Sequence, residues 1–146
     1  MAAFRFSLQP VLERRTRIET AQREVLLAAE RAAAGARAEL VALDLRLHGL
    51  SRAFSGSFAA LGASDVRGLL LEIEVVKTSL AKQRHVTDAA RAAASRARDA
   101  FGAARAERTT LEAVRDRCYA TFLAEQELRE AAEYDESNAR RRIISA

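Results

Sequence analysis

The chain has 146 residues, with one Pro, six Gly, no Trp and a net charge of +4 from 24 Lys and Arg against 20 Asp and Glu. Ala, Arg, Leu and Glu dominate, which is the composition of long helices, and alanines bury too little area to fill a round core. A single Cys118 excludes an internal disulfide and fits a reducing compartment, and no stretch approaches the ~18–20 apolar residues that span a bilayer.

The opening residues, Met1-Ala-Ala-Phe-Arg-Phe-Ser-Leu-Gln-Pro10, lack the continuous apolar region of a signal peptide, so the cytoplasm is the expected location. Ser7 is placed to cap the first helix and Pro10 falls in its first turn, where a missing N–H costs little. Phe6 and Val11 have the spacing of a hydrophobic staple. The first helix is expected over about residues 8–54, roughly 70 Å at 1.5 Å per residue. Its apolar residues recur at Val11, Ile18, Val25, Ala29, Ala32, Ala36, Leu40, Leu43, Leu47, Leu50 and Phe54, steps of mostly three and four that make one narrow seam. The successive steps of three, four and four from Ala29 to Leu40 resemble an eleven-residue phase, which would relax a left-handed supercoil locally.

Residues 55–64 contain two glycines and three serines, enough to stop the helix and reverse the chain. Ser64 is placed to cap a second helix, and Asp65 suits the positive end of its dipole. With no Pro beyond this point, that helix is expected over about 65–140, on the order of 110 Å. Gly68 and Gly102 are its interior weak points, each costing up to about 1 kcal/mol relative to Ala. Its seam runs through Val66, Leu69, Ile73, Val76, Leu80, Ala90, Ala94, Ala97, Phe101, Ala104, Leu111, Cys118 and Phe122.

A short turn makes the two helices antiparallel neighbours, with facing residue numbers adding to about 119. Phe54 then meets Val66, Leu50 meets Leu69, Leu47 meets Ile73 and Leu43 meets Val76, while Ala29 meets Ala90, Val25 meets Ala94, Gln22 meets Ala97 and Ile18 meets Phe101. The expected fold class is therefore all-α, an antiparallel two-helix coiled-coil hairpin forming a single domain. In that register the first helix covers the second only to about residue 111. Phe4 and Phe6 extend the cover to Val114, and Cys118, Phe122, Leu123 and Leu128 are left as an apolar stripe on a longer, overhanging second helix. Such a stripe marks a binding surface, or else a segment that frays or pairs with itself in a dimer.

The residues offer no catalytic constellation. Phosphate-binding glycine loops are missing, His48 and His85 stand singly without ligand-spaced partners, and Cys118 has no His at helical spacing. No enzyme activity, cofactor or metal is expected. Residues 77–117 carry ten Lys/Arg and five Asp/Glu, interleaved as in a solvated, salt-bridged helix face, so no nucleic-acid partner is expected, although the basic pI of about 10.0 keeps a basic helical nucleic-acid binder or scaffold as an alternative. Residues 125–136 hold six acids and only Arg129, a solvated face or one that meets a basic partner.

Both ends of the chain carry a resemblance. Phe4-Arg-Phe-Ser-Leu-Gln-Pro-Val-Leu-Glu-Arg-Arg15, and further on Leu123-Ala-Glu-Gln126 and Glu133-Tyr-Asp-Glu136 followed by Arg140-Arg141, resemble the corresponding motifs of the flagellar export protein FliJ family. The resemblance implies a non-catalytic, stalk-like coiled coil of the flagellar type III export apparatus. It would bind the hexameric export ATPase, promote its assembly and activity, and couple it to the membrane export gate protein and export chaperones, in the cytoplasm at the inner membrane beneath the flagellum. Carried over by position, Phe4, Phe6, Leu8, Val11, Leu12, Arg14, Arg15, Phe122, Glu125, Gln126, Asp135 and Glu136 would face the ATPase. Leu43, Leu47, Ile73 and Leu80, nearer the turn, would face the gate. The equivalent stalk protein of a virulence type III secretion system shares this architecture and is the alternative.

Overall fold

The computed structural model describes residues 3–57 and 59–144. They form two α-helices, α1 over Gln9–Ser57 and α2 over Ala63–Ile144, of 49 and 82 residues. No strand occurs among the described residues. The fold class is the expected one, an all-α two-helix hairpin with the longer helix second. Phe58, inside the expected turn, and Met1 and Ala2 lie outside the described residues.

Neither helix is capped by the serine expected to cap it: the α1 cap lies one residue after Ser7 and the α2 cap two residues before Ser64. The Leu8 carbonyl accepts the Leu12 N–H at 3.0 Å, and the Phe6 carbonyl accepts the Gln9 N–H at 3.1 Å. Leu8, not Ser7, therefore holds the cap position, and Pro10 follows as the second helical residue, where its fixed φ suits the helix. At α2 the Gly62 carbonyl accepts the N–H groups of both Asp65 and Val66 at 3.1 Å. Gly62 is thus the cap, a position glycine tolerates, and Ser64 sits inside the first turn. Asp65 lies in that turn, where its charge opposes the positive end of the helix dipole. Gly56, expected to help break α1, remains helical, and no described glycine takes a positive φ.

The chain divides into two compact units, one of residues 21–102 and one of residues 1–20 with 103–146. In the unit of residues 21–102, the inward residues of α1 are Gln22, Leu26, Ala29, Ala33, Ala36, Leu40, Leu43, Leu47, Leu50 and Phe54. They are spaced alternately by four and three, an uninterrupted heptad pattern. The inward residues of α2 keep the same alternation from Val66 through Val76, Leu80, Gln83, Thr87 and Ala94 to Phe101.

This corrects the expected seam at two places. Val25 is 54 % exposed and Ala32 is exposed, whereas Leu26 and Ala33 turn inward. The eleven-residue phase therefore does not exist. In α2 the polar residues Gln83 and Thr87 fill the gap that apolar spacing left between Leu80 and Ala90. Gln83 Nε2 donates to the Ala36 carbonyl at 3.0 Å. The buried Thr87 hydroxyl lies 3.2 Å from that same carbonyl and 2.8 Å from the Gln83 carbonyl. A polar layer of this kind is tolerated inside a seam because its groups are hydrogen-bonded.

Pairing across this unit follows the expected register. Gln83 meets Ala36, and Arg46 Nη2 meets Glu72 Oε1 at 2.6 Å. Arg98 reaches further along, to Glu30 at 2.9 Å, and the Arg23 guanidinium lies 5.7 Å from the Phe101 ring centroid. Side chains lean toward the N-terminus of their own helix, so in an antiparallel pair long ones lean toward each other and meet beyond the Cα register.

Candidate functional site

All the residues expected to face the ATPase fall in the unit of residues 1–20 with 103–146. Its interior differs from an ordinary coiled-coil seam. Leu12 and Ala104 are buried, and Ile18, Leu111 and Val114 are half-buried. Beside them Glu19 is buried and accepts from Arg108 Nε, while Arg108 Nη1 donates to Glu112 at 2.5 Å. Arg15 also bonds across the helices, to Glu107. The hydrogen bond to Glu19, then that to Glu112, raises the Arg108 pKa above its ordinary high value, so the guanidinium is charged at every accessible pH. The Glu19 and Arg108 side chains are 8 % and 22 % exposed, which makes this a partly buried ion pair with its carboxylate end the more enclosed.

Ahead of α1 the chain folds back over α2. The Phe4 ring meets Tyr119 edge-on at a centroid distance of 5.1 Å and lies tilted against Phe122 at 5.6 Å. Tyr119 and Phe122, three residues apart, share one face of α2. This corrects the expectation that Phe122 has no partner within the chain: Phe4 covers it. Cys118, placed in the seam by spacing, is exposed instead. Tyr119 is the functional candidate that apolar spacing missed; the signal was its i,i+3 relation to Phe122.

Around this aromatic cluster the expected contact residues divide into two groups. Phe4, Phe6, Phe122 and Gln126 are half-buried, Leu12 is buried, and Arg15 is half-buried in its ion pair. Leu8, Val11, Arg14, Glu125, Asp135 and Glu136 are exposed. Glu125 has Arg129 at 3.8 Å and Glu136 has Arg140 at 2.5 Å, each one turn along α2. From residue 127 to residue 141 every side chain is exposed, including Leu128 and Tyr134. This unit thus offers an aromatic cluster, exposed leucine and valine side chains, one arginine-bearing helix start and a strongly acidic continuation.

The residues expected to face the gate lie in the other unit and point elsewhere. Leu43, Leu47 and Ile73 are half-buried in the seam and Leu80 is only 6 % exposed. The neighbouring apolar side chains that do reach solvent are Val41, Leu45, Leu70, Leu71 and Val75. Leu71 and Val75 are one turn apart on α2, as are Val41 and Leu45 on α1.

Among the described residues no group of three or more His, Cys, Asp or Glu is placed to hold a metal ion. No described helix is long and apolar enough to cross a membrane. His48 Nδ1 is 2.9 Å from the Asp44 carbonyl in its own helix. What the molecule presents is a set of helical faces, and the class it defines is that of an all-α two-helix coiled coil. Residues 4–145 match the family model described as the flagellar FliJ protein. The chain belongs to the flagellar FliJ protein family, and with it to the components of flagellar type III export. No curated protein and no solved structure matches the chain.

Proposed function

We propose that the chain is a non-catalytic stalk that binds the hexameric flagellar export ATPase through the unit of residues 1–20 with 103–146, promotes its assembly and activity, and couples it to the membrane export gate and export chaperones at the inner membrane. The supporting observation is the Phe4–Tyr119–Phe122 cluster, together with the exposed Leu8, Val11 and Leu123 of the same unit. Two half-buried phenylalanines packed with an exposed tyrosine, in a unit that also exposes aliphatic and charged side chains, have the make-up of a binding hot spot. A stalk of this kind acts by differential affinity, favouring the ATPase state whose surface it fits best.

For the gate contact, the seam positions Leu43, Leu47, Ile73 and Leu80 act by holding the two helices together. The side chains that touch the partner are their exposed neighbours, with Leu45, Leu71 and Val75 foremost.

Co-purification tests both contacts. Phe122→Asp, and separately deletion of residues 2–12, should abolish capture of the export ATPase while circular dichroism keeps the helical signal. Leu45→Asp with Val75→Asp should weaken capture of the gate protein and spare the ATPase. Unchanged ATPase capture in both of the first two variants would reject the reading.

A further inference from the structure

The charges of α2 are divided along its length. Residues 77–98 carry Lys77, Lys82, Arg84, Arg91, Arg96 and Arg98 against Asp88 alone, a net of +5; residues 125–136 carry six acids against Arg129, a net of −5. Lys77, Arg84, Arg91 and Arg98 recur every seventh residue, which sets them in a row along one side of the seam. Arg84 borders a groove with Val41, Asp44 and Leu45 of α1, and Arg91 and Arg98 border another with Glu30 and Ala33. Of this row only Arg98 has an ion-pair partner among the described residues. The acids facing it are Glu30, Asp44 and Asp88. The row therefore flanks open, partly apolar grooves with basic charge to spare.

We infer that this basic row is the docking surface for the acidic segment, residues 123–136, of a second copy of the chain. That segment has what the grooves lack. Besides its acids it carries Leu123, Leu128 and Tyr134, all exposed, so it can place apolar side chains against Val41 and Leu45 while its carboxylates meet the arginines. The two stretches carry net charges of +5 and −5, equal and opposite, and this complementarity argues for a second copy of the chain as the occupant. Opposite fields of this size steer association and set its dependence on salt.

Sedimentation equilibrium of the intact chain, with no other protein present, tests this independently of the ATPase reading. At about 0.01 M salt, where the Debye length is ~30 Å, the weight-average mass should rise with concentration above the monomer, whose mass is 16.0 kDa. At about 1 M salt it should return to the monomer value. Arg84→Glu with Arg91→Glu should be monomeric at low salt, as should Glu130→Lys with Glu133→Lys, both retaining the wild-type circular dichroism. Mixing the two charge-reversed proteins should restore association. A wild type that is monomeric at low salt overturns the inference, and so does association unaffected by either reversal or a mixture that fails to associate. A monomeric wild type that floats with anionic vesicles would assign the row to a lipid surface instead, and equally overturns it.

Discussion

Phe4 lies edge-on against Tyr119, ring centroids 5.1 Å apart, and this contact ties the segment ahead of α1 to α2. It joins two parts of the chain that hydrogen bonding alone does not connect, since residues 3–6 belong to no helix. Aromatic pairs of this geometry contribute about 0.5–1.5 kcal/mol beyond their buried area. Phe4→Ala should therefore free the segment locally and leave the helices intact. In a Tyr134→Phe background Tyr119 is the sole tyrosine and, with no tryptophan in the chain, the dominant fluorophore. Acrylamide quenching of Tyr119 should increase in Phe4→Ala at an unchanged far-ultraviolet spectrum. Unchanged quenching would mean that the aromatic contact does not hold in solution.

The Glu19–Arg108 pair yields a second expectation. An ion pair held away from water is costly to break from one side, because the remaining charge loses its compensation. The exposed pair Arg98–Glu30, with side chains 64 % and 42 % exposed, contributes no more than about 1 kcal/mol. Glu19→Ala should lower the thermal midpoint clearly more than Glu30→Ala, and Glu19→Arg combined with Arg108→Glu should recover part of the loss left by either single reversal. The sign of the pH dependence follows from the raised Arg108 pKa. A folded-state pKa above the unfolded one stabilises fully below the unfolded value and is lost only as pH climbs through the folded one. With an arginine both lie far above the range of ordinary buffers. The midpoint difference assigned to Arg108 should thus stay constant between about pH 6 and pH 9.

A third expectation separates two seams that differ by one residue. Leu26→Asp places a carboxylate between the helices and should lower the thermal midpoint strongly. Val25→Asp, at a position 54 % exposed, should change stability by about 0.5 kcal/mol or less, as surface substitutions do. Equal losses in the two variants would contradict the heptad phase described for α1.

The same pair of residues shows how far the fold was legible in advance. From Ala36 onward the α1 seam is unambiguous in the sequence, because Leu40, Leu43, Leu47, Leu50 and Phe54 have no apolar neighbour pattern that competes over the same length. Nearer the start of α1 the choice is degenerate: Val25 and Leu26 are both aliphatic, and Ala32 and Ala33 are identical in chemistry. Periodicity read on one helix cannot choose between them. In α2 the reverse problem arises, since a search for apolar residues passes over Gln83 and Thr87. Their place in the seam depends on the Ala36 carbonyl, which belongs to the other helix.

The candidate site was legible in the same partial way. Phe4 and Phe122 were named from the motifs at the two ends, yet nothing in the spacing placed them together or brought in Tyr119. The gate candidates came from the resemblance, by their position near the turn, whereas apolar spacing already put Leu43, Leu47, Ile73 and Leu80 in the seam; the structure keeps them there.

By itself the sequence determined two long helices, their antiparallel order and the family at the two ends, because composition, a single break and short motifs are local properties that need no partner. Only the tertiary structure decided which apolar face of α1 closes on α2, that polar groups complete the seam at Ala36, that Glu19 is buried against Arg108, and that Phe4 covers Phe122. Each of these depends on two segments far apart in the chain, and their energies exist only when the segments meet.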